Sequence, residues 1–164
     1  MDLIVAADSS WGIGKNGGLL AHIPTDMKYF KDHTMGKVVV MGRKTLESMP
    51  GGKGLPGRTN YVLTSQRGFS AERCITVCSI AELRKELEKY DSVDVFLIGG
   101  ATLYNSLYKE CNRLYVTKID ADLDADTFIV NFDDDTDFEI ESESGPVTEN
   151  GLTYRFMVYR KKGN

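Results

Sequence analysis

The sequence predicts an α/β fold: a largely parallel sheet with helices on both faces and an antiparallel hairpin at its C-terminal edge. Apolar runs alternate with helical patterns over the first two thirds of the chain. The runs "VVVM" (38–41) and "VFLI" (95–98) are apolar throughout, as expected of strands covered on both faces. The segments "DFEIESES" and "LTYRFMVYRK" instead alternate, and "GPVTENG" lies between them, which is a hairpin signature.

The first strand is "LIVAA" (3–7). A helix starts at about Pro24, since proline suits the first helical turn. Ile23, Asp26, Met27 and Phe30 then share one stripe, with Lys28, Lys31 and Asp32 opposite. "KVVVMG" (37–42), "NYVLTS" (60–65) and "VDVFLIGG" (93–100) are further strands. "SIAELRKELEKY" (79–90) spaces Ile80, Leu83 and Leu87 for a surface helix, with Ser79 as N-cap and Glu82 at the capping-box position. A chain of 164 residues, 41% of them hydrophobic, is long enough for one full core and short for two. Without linker or repeat, residues 1–164 read as one domain.

The net charge of −4 is spread over interspersed acids and bases, which leaves no footprint for a nucleic-acid duplex or an acidic membrane. The one block of like charge, Asp133 to Asp137, reads as a solvated turn. There is neither a signal-peptide pattern nor an apolar run of membrane-spanning length, so a cytoplasmic protein is expected. Cys74, Cys78 and Cys111 read as reduced thiols, and His22 and His33 lack partners at ligand spacing, so no metal is expected.

"GIGKNG" (Gly12 to Gly17) matches G-x-G-x-x-G after a strand, but "GLLAHIP" intervenes before the next helix, against the usual dinucleotide fingerprint. It reads as a mobile glycine-rich loop, suited to a lid. Two strand ends are better phosphate cradles: "VVVMGRKTLESM" through Gly42, and "VFLIGGATLYNSL" through Gly99 and Gly100, each leading from strand into helix. Arg43, Lys44, Thr64 and Ser65 add charge and hydroxyls for a further phosphate, as NADP requires. Arg58, in "LPGRTNYVLTS", suits either a structural salt bridge or a substrate carboxylate. Asp26, on an inward stripe, answers the helix dipole or faces a pocket.

In order, "LIVAA", "GIGKNG", "IPTDMKYFK", "VVVMGRKTLESM", "LPGRTNYVLTS", "VFLIGGATLY", "LYVTKIDADLDADTF" and the terminal hairpin resemble the dihydrofolate reductase family over essentially the whole chain. The resemblance implies an eight-stranded mixed sheet in a monomer. It also implies NADPH as hydride donor to 7,8-dihydrofolate, giving tetrahydrofolate for one-carbon metabolism. Asp26 matches the carboxylate that takes hydrogen bonds from the pterin's N3 and 2-amino group, with Thr117 in the same network. Ile4 and Ile98, through their carbonyls, and Val5, Met27, Phe30, Met49 and Leu55 would line the substrate pocket, with Arg58 clamping the glutamate carboxylate. Ala6, Ile13, Gly14 and Tyr104 would surround the nicotinamide. Gly42, Lys44, Thr45, Leu63, Ile98, Gly99, Gly100, Ala101, Thr102 and Leu103 would follow the rest of the cofactor, and Arg43, Thr64 and Ser65 would take its ribose phosphate.

By the same resemblance, hydride adds to C6 and a proton from water reaches N5, while Asp26 orients and polarises the ring. The related reductase of riboflavin synthesis shares the fold but would not explain Asp26, Thr117 and Arg58 together. Where many members of the family read L-P-W before this helix, this chain reads Leu20-Ala21-His22. The space left beside the pterin must be filled by Trp11, the chain's one tryptophan, by a neighbouring loop side chain or by extra water.

Overall fold

The computed structural model describes residues 1–163. Its central strands are β1 (Asp2–Ala7), β4 (Val38–Gly42), β5 (Thr59–Leu63), β6 (Cys74–Val77), β7 (Val95–Gly99) and β8 (Arg113–Ile119). They run parallel in the order β8-β1-β7-β4-β5-β6. β12 (Leu152–Lys161) joins β8 antiparallel, and β10 (Phe138–Glu143) closes that edge antiparallel to β12. A ninth short strand, β11 (Val147–Glu149), also pairs with β12.

Uniformly apolar strands result from burial on both faces. Val38, Val40, Val95 and Leu97 enter one core cluster, while Val39, Met41, Phe96 and Ile98 enter the other. The helix α3 (Ile80–Leu87) and α4 (Ala101–Leu107) cover the first face through Leu83, Leu103 and Leu107. On the second face lie α1 (Pro24–Thr34), through Phe30, and α2 (Arg43–Glu47), through Leu46. Ser79 caps α3 by accepting from Glu82 N at 3.0 Å, and Glu82 reaches back to Cys78 N, one residue before the expected target. Alternation conceals β8: Leu114 and Val116 are core, whereas Thr117 and Lys118 interrupt the apolar pattern for reasons that belong to the site.

Residues 12–17 do not form an open loop. β2 (Gly12–Lys15) pairs antiparallel with β3 (Gly18–Leu19) and β9 (Thr127–Phe128) in a small second sheet. Asn16 and Gly17, with φ of 52° and 78°, form the two-residue turn between β2 and β3, and Asn150 and Gly151 do the same between β11 and β12. Asn-Gly is the pair that such primed hairpin turns favour. At Gly12 a side chain has no room, since its Cβ would lie 2.2 Å from that of Ala125.

Asp8, buried at the end of β1, anchors this second sheet. Its carboxylate accepts from the backbone N–H of Ser10, Gly12 and Leu123 at 2.8–3.0 Å. Lys118 donates to the Asp8 carbonyl at 2.7 Å and lies 4.6 Å from the centre of the Trp11 ring. The acidic stretch is likewise more than a solvated turn, because buried aromatic hydroxyls need acceptors. Asp133 accepts from Tyr159 and Asp135 from Tyr108, both at 2.7 Å, and Lys109 bridges Asp135 and Asp137.

Asp8→Ala is expected to lower unfolding free energy by about 2–4 kcal/mol, since buried amide donors would lose a charged acceptor. Urea unfolding measures it. A loss below about 1 kcal/mol would show that water satisfies those donors nearly as well.

Candidate active site

The carboxyl ends of β1, β7, β4 and β5 lie side by side, with α1, α2 and α4 starting beyond them. Pro24 opens α1 after Ile23, which offers no side-chain cap. The exposed backbone N–H of Thr25 is instead satisfied by Glu149, whose other carboxylate oxygen takes the Thr25 hydroxyl at 2.7 Å. A carboxylate already answers the helix terminus. Asp26 points elsewhere: Thr117 on β8 donates to its Oδ1 at 2.5 Å, and its Oδ2 accepts from no donor among the described residues. Burial raises the Asp26 pKa above the ordinary 3.8, against the opposing pull of the Thr117 hydrogen bond. A half-buried carboxylate with one free oxygen is built to receive a donor.

Phe30, one turn beyond Asp26 on α1, packs with Met49 and Leu55 against the cluster that includes Ile4 and Ile98. Met27 stays 48% exposed, so the helix stripe is rotated from the expected one. Tyr29 and His33 turn inward instead: Tyr29 stacks on Phe156 at 4.1 Å, and His33 lies 4.9 Å from Tyr115. Val5 packs in the cluster on the opposite face, so its side chain does not line this wall. At the far end of α1, Arg58 donates to the Pro56 carbonyl and to Thr34 Oγ1, at 3.0 and 3.3 Å. It has no carboxylate partner among the described residues, and desolvation lowers its pKa. From Asp26 to Thr34 the helix rises about 12 Å, so an acceptor and a cation mark the two ends of α1.

Asn60, which periodicity hides within an apolar strand, fixes the turn that carries Leu55 and Arg58. Its buried amide exchanges hydrogen bonds with both backbone groups of Leu55 and donates to the Arg58 carbonyl. Polar asparagine inside "NYVLTS" was the available signal.

On the adjoining side, Gly99 and Gly100 lie directly against Thr45. A Cβ at either would come within 3.1–3.2 Å of Thr45 Oγ1, so bare backbone lines this cradle. Arg43 contacts Gln66 and Glu47. Thr64 is buried and accepts from Gln66 N, whereas Lys44 and Ser65 are exposed. Arg43, Thr64 and Ser65 are thus brought to one corner with Gln66, a neighbour that carries no motif. Leu103 is core, and Leu63, Ile13 and Ala101 pack against the same cluster. Tyr104, buried, donates to the Ile4 carbonyl at 2.8 Å and so joins the two halves of the site. Burial holds its phenol far above the usual pKa.

Trp11 does not fill the space beside Ala21. It is buried with Phe132, 5.3 Å away, and with Tyr159, whereas Ala21 packs on a separate cluster of Ile23, Ile119 and Tyr154. Lys118 and the Asp8 clasp commit the indole to the other face. Among the described residues no group of acidic, cysteine or histidine side chains could hold a metal ion.

Asp26→Asn keeps an acceptor for Thr117 while removing the charge. A folded pKa above the unfolded one means the folded chain binds the proton more readily, so wild-type stability falls as pH rises through that window. The variant is therefore expected to melt above the wild type at neutral pH, with the gap closing below the ordinary value of 3.8. Equal melting near neutrality would mean that Asp26 is fully solvated.

A family model described as dihydrofolate reductase matches residues 1–161. The dihydrofolate reductase of Bacillus subtilis is 36% identical over 165 residues, covering 100% of this chain and 96% of that protein. That of Enterococcus faecium is 38% identical over 158 residues, covering 95% and 93%. Among solved structures, a dihydrofolate reductase from Enterococcus faecalis complexed with NADP(H) and RAB-propyl superposes with a TM-score of 0.88 at 32% identity, covering 99% of this chain and 96% of that one. With its strand order, its glycine cradle and its free carboxylate on α1, the chain belongs to the dihydrofolate reductase family.

Proposed function

We propose that Asp26, Thr117 and Arg58 grip the two ends of 7,8-dihydrofolate in the reaction this chain catalyses, its NADPH-dependent reduction to 5,6,7,8-tetrahydrofolate. The observation that carries the assignment is the Asp26 carboxylate, held by Thr117 on one oxygen and open on the other. N3–H and the 2-amino group of a pterin are paired donors that match a carboxylate. Arg58, at the other end of α1, has donors beyond those given to Pro56 and Thr34 and no carboxylate partner among the described residues, which suits the glutamate carboxylate of the substrate tail. Phe30, Met49, Leu55 and the exposed face of Met27 supply the apolar walls between them.

The cradle fits the cofactor. Bare backbone at Gly42, Gly99 and Gly100, with Thr45 beside it, leaves N–H and hydroxyl donors for a pyrophosphate. Arg43, Thr64, Ser65 and Gln66 offer a cation and polar groups for the ribose phosphate that separates NADPH from NADH. Bound NADPH supplies the hydride that adds to C6 of the N5=C6 imine.

The chain's own groups orient and polarise. In its ionised form, in a partly desolvated site, Asp26 binds the ring edge and draws positive charge into the pterin, which makes N5 easier to protonate. Its contacts lie on the pyrimidine side of the ring, so the proton for N5 comes from water. Tyr104, by fixing the Ile4 carbonyl, holds the walls of the two subsites in one register. Interspersed charge, unpaired Cys74, Cys78 and Cys111, and a main sheet that draws strands from both ends of the chain support a single-domain cytoplasmic monomer that does not bind nucleic acid.

The direct test is oxidation of NADPH that depends on dihydrofolate. Asp26→Asn is expected to retain NADPH binding and lose about 10²–10³-fold in turnover at neutral pH. Partial recovery should follow as pH falls and solution protonation of the substrate replaces what the carboxylate promotes. Near wild-type turnover would remove Asp26 from the reaction. Arg43→Ala is expected to weaken NADPH by about 1.5–3 kcal/mol and NADH little, as fluorescence titration would show. Equal losses for both would displace the phosphate from this corner.

A further inference from the structure

We propose that Asn105 is a positioning residue for cofactor exchange, a latch between the small antiparallel sheet and the helix that begins at the cofactor cradle. This rests on the cradle reading above. Asn105 lies on the exposed side of α4, one turn beyond Ala101 and Thr102. Its Oδ1 accepts from Val130 N at 3.0 Å, and its Nδ2 donates to the Phe128 carbonyl at 3.4 Å.

The pattern is that of a missing strand. β9 gives one edge to β2, where Phe128 pairs with Gly12 and Ile129 N donates to the Trp11 carbonyl at 3.0 Å. In an extended chain the backbone groups of residues two apart point to the same side. Phe128 and Val130 therefore direct theirs to the edge that β2 does not use, and one carboxamide meets both with the donor and acceptor that a neighbouring strand would present. β2 is fastened at its base by Asp8 and at its tip by Asp126, which accepts from Asn16 N at 2.9 Å and donates its own N–H to the Gly14 carbonyl. On its β9 side, the sheet meets α4 through Asn105. Lifting β2, β3 and β9 away from α4 must break both Asn105 bonds, and those bonds begin within one helical turn of the Gly100–Thr102 segment. Asn105 itself is in neither the substrate walls nor the cradle.

Asn105→Leu removes both bonds, and Asn105→Asp retains an acceptor for Val130 N while losing the donor to Phe128. The readouts are NADPH dissociation by stopped-flow displacement with excess NADP⁺, melting of the free protein, and single-turnover hydride transfer. Asn105→Leu is expected to release NADPH about 3- to 10-fold faster, the range for one or two modest surface hydrogen bonds. Asn105→Asp should fall between it and the wild type, and single-turnover hydride transfer should be unchanged in both. Release at the wild-type rate in both variants, whether or not they melt lower, would make Asn105 merely structural and overturn the latch. Thr45→Val separates the two readings. If it weakens NADPH while the Asn105 variants release normally, only the latch fails; if it binds NADPH normally, the cradle fails and the latch with it.

Discussion

Parallel alignment of six strands is the constraint on which the rest of this molecule depends. Parallel neighbours need crossover connections, and the crossovers place α1 and α2 on one face of the sheet and α3 and α4 on the other. Both faces are then buried, which is why β4 and β7 are apolar at every position from Val38 to Met41 and from Val95 to Ile98. The same alignment collects the carboxyl ends along one edge. β7 lies between β1 and β4 although it follows both in the chain, so the connections leave this point in different directions and open a crevice. Gly42, Gly99 and the N-termini of two helices face it because topology leaves them there.

Two inward carboxylates show how partner number separates structure from function. Asp8 has three backbone donors and a lysine on its carbonyl, so its burial is compensated and it clasps loops from distant parts of the chain. Asp26 has one donor, and burial raises its pKa. An incomplete shell around a partly buried carboxylate is a deficit that a ligand bringing donors would fill. The Thr117 hydrogen bond opposes the rise in pKa without cancelling it.

The second sheet extends this economy of backbone groups to the rim of the site. The Asn16-Gly17 turn closes it, and the Asp8 clasp and the Asn105 carboxamide meet backbone groups at its short edges without lengthening the strands. Trp11 is drawn to the opposite side by Phe132, Tyr159 and Lys118, and the acidic segment is retained as acceptor for Tyr108 and Tyr159. Ala21 consequently packs on Ile23, Ile119 and Tyr154 rather than on an indole. The departure from L-P-W is not compensated by the chain's only tryptophan.

By itself the sequence determined the fold class, the order of the main elements and the residue types available at the strand ends. Apolar periodicity, Pro24, Ser79 and the glycines after β4 and β7 are local signals, and local physics reads them. Resemblance added the expected partners of Asp26 and Arg58, which no spacing could supply. Tertiary structure alone decided which way α1 turns, because Tyr29 and His33 find aromatic partners on β8 and β12 that lie far away in sequence. It also decided that Glu149 caps α1, which frees Asp26 from that role, that Asn60 turns its carboxamide onto three backbone groups of the adjoining turn, and that Asn105 spends one carboxamide on two backbone groups of a distant segment. Hydrogen bonds between remote positions leave no periodic trace, so they become visible only when the sheet has brought their partners together.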